Sequence, residues 1–241
     1  EVQPRKPRVT AAMRIAAAVK ERKPDSDPIL DGWDYGTGNT YCLFGASKSG
    51  KSTLMMKLYS EYFPKFIKHK RLLTTLFAQN PQIDLYTKTE GADYIVSCPY
   101  MNSNTSSYID WQRKVNKMNE NKFDFLNMFD DFIDVRYSQI VNNLILTYRN
   151  SMMSAIMCLQ YTNLLSKAAR SNVNNVFLMH MNTDESIEVA VKSYLQSVLK
   201  KLEVEDPVRW YREQTADHNY IYIHPVSGRI FLSKTKEYLH L

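Results

Sequence analysis

The sequence predicts an α/β fold with a mostly parallel central sheet flanked by helices. Short apolar runs alternate with longer segments of helical spacing from Tyr41 to Leu202, the pattern of a sheet covered by crossover helices. Turn residues such as Gln79-Asn80-Pro81 and Pro225-Val226-Ser227-Gly228 bound the runs. Hydrophobic residues make up 44% of 241 positions, enough for one sizeable core.

Thr10 to Lys23 has the spacing of a short helix, opened by Thr10 and closed before Pro24. Residues 24–40 read as a connector. Tyr41-Cys42-Leu43-Phe44 reads as a buried strand, and the helix after Ser52 runs to about Tyr62, before Pro64. Leu72 to Ala78 is a second strand, Tyr94 to Ser97 a short third, and Ser106 to Asn119 a helix. Phe123 to Asp131 is an apolar strand ending in two carboxylates, followed by a helix from Tyr137 to Asn150. Ser154 to Leu159 is a strand closed by Gln160, and a short helix covers Asn163 to Ala169. Val173 to His180 is a strand and Asp184 to Leu202 a long helix. Tyr220–His224 and Arg229–Leu232 carry a hairpin signal. Three parts follow: a basic arm with its helix at 1–30, an α/β core at 31–205, and a C-terminal extension with a hairpin at 206–241.

The formal net charge of +6 points to an anionic partner. Arg5, Lys6, Arg8, Arg14, Lys20, Arg22 and Lys23 face only Glu1 and Glu21 in the first 24 residues. Such an arm is suited to contact nucleic acid through counterion release, and equally to dock another surface or stay solvated. Arg113, Lys114 and Lys117 make a second basic patch beside Trp111, and with Asn102-Ser103-Asn104-Thr105 they are candidates for a loop that touches phosphates. No apolar run approaches membrane-spanning length. Cys42, Cys98 and Cys158 lie in or beside apolar runs without metal-ligand spacing, the usage of reduced, buried thiols in an intracellular protein. None of the five histidines has the spacing of a metal site.

The chemistry is concentrated in Gly45-Ala46-Ser47-Lys48-Ser49-Gly50-Lys51-Ser52, which fits G-x-x-x-x-G-K-[ST] at every fixed position. Its flanks are a strand and a helix, the context the motif needs. The glycines let backbone N–H groups and the helix N-terminus close around an anion. Lys51 is suited to the β- and γ-phosphates of ATP and the Ser52 hydroxyl to Mg²⁺, with Thr53 next along the helix. The expected ligand is a nucleoside triphosphate. Asp130 and Asp131 end a separate apolar strand, where the first acid holds Mg²⁺ and the second orients or deprotonates the attacking water. Gln160 ends another strand. If that strand lies between those of the phosphate loop and of Asp130, Gln160 reaches the γ-phosphate as a sensor.

These elements, in this order, resemble the FtsK/HerA superfamily of P-loop ATPases, and within it the DNA-packaging branch of poxviruses, other large DNA viruses and virophages. The likeness runs from about Tyr41 to His180 and is most specific from Phe125 to Asn172. The resemblance implies a RecA-like core and an oligomeric ring, a hexamer, that pumps double-stranded DNA into a preformed capsid. It implies capsid or portal-vertex proteins as partners, and a place at the virus assembly site in the host cytoplasm or in the virion. It also implies an arginine finger from a neighbouring subunit, for which Arg149 and Arg170 are the candidates. The sequence departs from the family's pattern twice. Asp131 stands where many relatives have Glu, which puts its water-activating role in doubt, and Lys48 stands where relatives often have glycine. Two other readings share the phosphate loop: a small-molecule or nucleotide kinase, which lacks a recognisable arginine-rich lid here, and a nucleotide-gated assembly scaffold.

Overall fold

The computed structural model describes residues 38–62, 71–78, 95–98, 103–119, 123–132, 138–151 and 153–240. The basic arm and its helix, and the connector up to residue 37, lie outside the described residues. Strands β1 (Thr40–Phe44), β2 (Arg71–Ala78), β3 (Ile95–Cys98), β4 (Phe123–Phe132), β5 (Met153–Leu159), β6 (Asn175–Leu178), β7 (Ile221–His224), β8 (Arg229–Leu232) and β9 (Glu237–His240) form one sheet. Their order is β3-β2-β4-β5-β1-β6-β7-β8-β9. From β3 to β6 the pairs are parallel, and from β6 to β9 antiparallel. The expected α/β architecture is what the chain adopts.

The strand order explains the apolar runs. β1 sits inside the sheet, and all five of its side chains are buried, as expected of a parallel strand covered on both faces. Cys42 and Phe44 join one core layer, which also holds Ile109, Phe129, Leu144, Met157, Ile187 and Trp210. Tyr41 and Leu43 join the other, with Leu54, Met55 and Leu58 against Ile156, Cys158 and Phe177.

Among the described residues the α-helices are α1 (Lys51–Lys57), α2 (Ser103–Met118), α3 (Ser138–Ser151), α4 (Lys167–Asn172), α5 (Asp184–Ala190), α6 (Gln196–Lys201) and α7 (Pro207–Thr215). A π-helical turn, Leu58–Tyr62, prolongs α1, and another, Val191–Leu195, joins α5 to α6. Together α5, that turn and α6 are the long helix expected after Asp184. Among the described residues, no helix is long and apolar enough to cross a membrane.

A buried amide pair fastens α2 to the sheet. Gln112 Nε2 donates to Asn127 Oδ1 at 3.2 Å, and Asn127 Nδ2 donates back to Gln112 Oε1 at 2.9 Å. Gln112 Nε2 also donates to Thr75 Oγ1 at 3.2 Å. Both amides are fully buried, so every one of these bonds replaces lost water.

Local chemistry accounts for the departures from the sequence reading. Ser103–Thr105 open α2 instead of forming a loop, and Asn102 lies outside the described residues. The helix expected over Asn163–Ala169 divides into a 3-10 turn, Thr162–Leu164, and α4. The reason is Ser166, whose hydroxyl accepts the Ala169 N–H at 3.2 Å and starts a new helix. β6 is shorter than Val173–His180. Helix α7 was not expected, although Asp206 caps it by accepting the Arg209 N–H at 2.9 Å and Pro207 occupies its first turn. The hairpin forms as expected, with Ile221 opposite Leu232 and Gly228 at φ 67° in its turn. β9 adds a strand beyond it. β7 to β9 continue the core sheet through the β6–β7 pairing of Val176 with Ile223.

Candidate nucleotide site

The phosphate loop links β1 to α1 and is held on both sides by the tips of neighbouring strands. The Gly45 N–H donates to the Leu159 carbonyl at 3.1 Å, at the end of β5. The Ala46 N–H donates to the His180 carbonyl at 2.8 Å, beyond the end of β6. A Cβ on Gly45 would stand 2.6 Å from Ser49 Oγ and 3.0 Å from Met179 Cβ, so the loop closes only around glycine. Gly50 caps α1 at φ 97°, a conformation disfavoured for L side chains. Lys48 is at φ 62° and exposed. The loop therefore holds a lysine in the left-handed region, which explains why glycine suits this position.

Lys51 is buried, and its ammonium donates to the Gly45 carbonyl at 2.8 Å and the Ala46 carbonyl at 2.7 Å. Ser52 Oγ donates to Asp130 Oδ1 at 3.0 Å across 78 residues of sequence. β5 lies between β1 and β4, the arrangement that the sensor role of Gln160 requires. Gln160 follows β5 directly and is half-buried, and the residue before it accepts the Gly45 N–H. The register of β4 on β5 slips between Phe129 and Phe132, so β4 bulges across Asp130 and Asp131 beside the loop. The side chain of Asp131 lies outside the described residues.

The Ser52–Asp130 contact gathers two hard oxygen donors beside the phosphate loop. Among the described residues, no group of three or more His, Cys, Asp or Glu is placed to hold a metal. A sparse oxygen set of this kind fits Mg²⁺, which keeps several waters and takes its other ligands from phosphates. Cys158 is buried beneath this centre. Burial pushes its thiol well up, and the Asp130 carboxylate adds to the shift. Cys42 is likewise raised by burial, and both thiols are free.

The two arginine candidates are placed differently. Arg170, in the last turn of α4, donates from Nη1 to the Leu165 carbonyl at 2.7 Å and the Thr162 carbonyl at 3.3 Å. It braces the segment that follows Gln160. Arg149 lies near the end of α3, and its side chain is outside the described residues.

One part of the site was not foreseen. Met179, His218 and Tyr220 share a cavity of about 640 Å³ with Lys48, Lys51, Ser52 and Thr53. His218 Nδ1 stands 3.4 Å from the Ser49 carbonyl, 169 residues away in sequence. No periodicity or spacing signals a contact so distant.

A phosphate loop, an acid one hydrogen bond away on a second strand, and an inserted strand between them are the arrangement of a P-loop nucleotide-binding fold. The family model described as "Poxvirus A32 protein" matches residues 39–237, and the chain belongs to that family. Among solved structures, the fold is similar to that of the genome packaging NTPase B204 from Sulfolobus turreted icosahedral virus 2 in complex with ATP-gammaS. The identity is 10%, the match covers 87% of this chain and 98% of that one, and the TM-score is 0.52. The DNA-packaging ATPase B204 from Sulfolobus Turreted Icosahedral Virus matches at 11% identity, over 86% and 98% of the two chains, with a TM-score of 0.50. No curated protein matches the sequence.

Proposed function

We propose that the chain is an ATP-driven translocase that packages double-stranded DNA into a viral capsid. The observation that carries the reading is Ser52 hydrogen-bonded to Asp130 beside the buried Lys51, on a chain of the poxvirus A32 family. That B204, with the same fold, is a DNA-packaging ATPase supports it.

In this mechanism Lys51 leaves the Gly45 and Ala46 carbonyls and donates to the β- and γ-phosphate oxygens of ATP. The loop N–H groups, with Lys48 at the rim and Thr53 on α1, hold the remaining oxygens. When bound, Mg²⁺ neutralises phosphate charge, with Ser52 and Asp130 as its protein ligands. Asp131 orients the attacking water and takes its proton. Gln160 reports the γ-phosphate to β5, whose Leu159 carbonyl is bonded to the loop. Arg170 has its Nη1 engaged within its own chain, which favours Arg149 as the residue that crosses to the neighbouring subunit. A finger supplied in trans stabilises the charge developing on the transferring phosphoryl group, and it makes hydrolysis depend on a closed ring, a hexamer in this reading. DNA is gripped through its phosphates without regard to sequence, with the basic N-terminal arm as one contact. Capsid or portal-vertex proteins receive the motor at the assembly site in the host cytoplasm.

The test is steady-state ATP hydrolysis by the full chain, with and without double-stranded DNA, across protein concentration. Turnover that rises with DNA and steeply with concentration, and is lost in Lys51→Ala, is the expected result. Flat turnover indifferent to DNA would overturn the translocase reading, and phosphate transfer to an acceptor other than water would identify a kinase.

A further inference from the structure

The residues assigned to chemistry come from one flank of β1: Asp130 from β4 and Gln160 from the end of β5. The opposite flank, β6 and β7, supplies side chains that hydrolysis does not use. Met179 follows β6, and Tyr220 stands just before β7. Both line the cavity of about 640 Å³ that opens beside α1, a volume suited to a small-molecule ligand.

The lining of that cavity points to what it would hold. Lys51 and Ser52 stand at the γ-phosphate end. The rest of its lining on α1 is Thr53, Leu54 and Lys57, and Asp130 is not part of it. A nucleoside triphosphate with its γ-phosphate at Lys51 would have its nucleoside within reach of this lining.

The wall is built rather than incidental. α7 is anchored by Tyr211, whose hydroxyl donates to the Met179 carbonyl at 2.7 Å. A turn then brings the chain back through Asp217 and His218, at φ 54° and 60°. The Asn219 N–H and Nδ2 close the turn on the Ala216 carbonyl at 3.0 and 2.8 Å. Ser233 Oγ accepts the Tyr220 N–H at 2.6 Å and donates to Asn219 Oδ1 at 3.2 Å. A carbonyl only accepts, so His218 Nδ1 is the donor in its 3.4 Å contact with Ser49 and ties the turn to the phosphate loop. The Tyr220 ring packs edge-on against Phe177, with centroids 5.6 Å apart, and stays half-buried.

We propose that Tyr220 and Met179 form the nucleobase seat of the site, with the base lying against the Tyr220 ring and His218 securing the seat to the phosphate loop. The inference rests on nucleotide binding at the loop and deepens it. It assigns the C-terminal extension a direct part in holding substrate. A face made of an aromatic ring and a thioether accepts any nucleobase, because every base offers a π-face.

The test compares two ligands by titration calorimetry with Mg²⁺ on the full chain: ATPγS, and inorganic tripolyphosphate, which has no base or ribose. Tyr220→Leu keeps apolar bulk against Phe177 and removes the aromatic face. It is expected to weaken ATPγS about tenfold and to leave tripolyphosphate within about twofold, while Tyr220→Phe binds both as the wild type does. ATPγS affinity unchanged in Tyr220→Leu overturns the inference alone, and so does equal weakening of both ligands. A wild type that binds neither ligand overturns the nucleotide reading and this inference with it.

Discussion

Gly50 turns the chain into α1 at φ 97°, where a Cβ would be strained whatever the space around it. An L side chain in the left-handed region costs about 1–2 kcal/mol. Gly50→Ala is therefore expected to lower Tm by about 2–8 °C in a chain of this size, measured by scanning calorimetry; a melt within a degree of wild type would contradict it. Asp130→Asn tests the other side of the site. It keeps the shape that accepts the Ser52 hydroxyl and removes the charge, so Mg²⁺-dependent turnover is expected to fall about a hundredfold or more while the fold melts as before. Phosphate release and a thermal melt on one preparation decide it. Both residues were legible in the sequence, one from the loop pattern and the other from its place at the tip of an apolar strand. His218 was not, because its significance lies in an approach to Ser49 that only the folded chain creates. Arg170 stood in the sequence as a candidate finger, and only the positions of the Thr162 and Leu165 carbonyls reveal what it holds.

Helix α2 meets the sheet through amides, so its attachment has a direction as well as an area. Gln112→Leu takes from buried Asn127 both of its bonds to Gln112 and leaves Thr75 with Tyr108 alone, a loss of about 1–3 kcal/mol. Replacing both amides, Gln112→Leu with Asn127→Leu, removes the mismatch, and the double variant is expected to lose less than the two single variants summed. Urea melts of the four proteins give the coupling directly; strict additivity would show that the pair does not act as a unit. At this scale the alternation of apolar runs and helical spacing was legible for β1 to β6. Helix α7 escaped because Arg209, Arg212, Glu213 and Gln214 make its sequence polar, while Trp210 and Tyr211 supply the buried face. The start of α4 escaped because a single serine, Ser166, decides it.

Residues 206–241 read in the sequence as an appendage, yet β7 pairs with β6 and the tail contributes Tyr211, Ile221, Ile223 and Ile230 to the core. Each such side chain contributes about 1.5–3 kcal/mol on burial, and together they match the whole stability of a typical domain. A chain ending at residue 205 is thus expected to lack a cooperative melt and to bind no nucleotide; a soluble, ATP-binding 38–205 fragment, seen by circular dichroism and calorimetry, would show the extension to be dispensable. Alkaline pH acts on the molecule as a whole. Burial raises Cys42, Cys158, Tyr148, Tyr211 and Tyr222 above their ordinary values. Above pH of about 9 the unfolded chain sheds protons that the native one retains, so stability is full below that pH and falls as pH rises. Urea midpoints between pH 7 and 10.5 are expected to hold level and then decline.

β1 has β5 on one side and β6 on the other, and the phosphate loop hangs from both by single backbone hydrogen bonds. A push arriving through β4 and β5 meets the reacting end of the nucleotide first. A push through α7 and the hairpin meets the far end. If the chain is the motor proposed above, such a strand gives it one handle for firing and another for reloading, and the proposed ring supplies a neighbour for each.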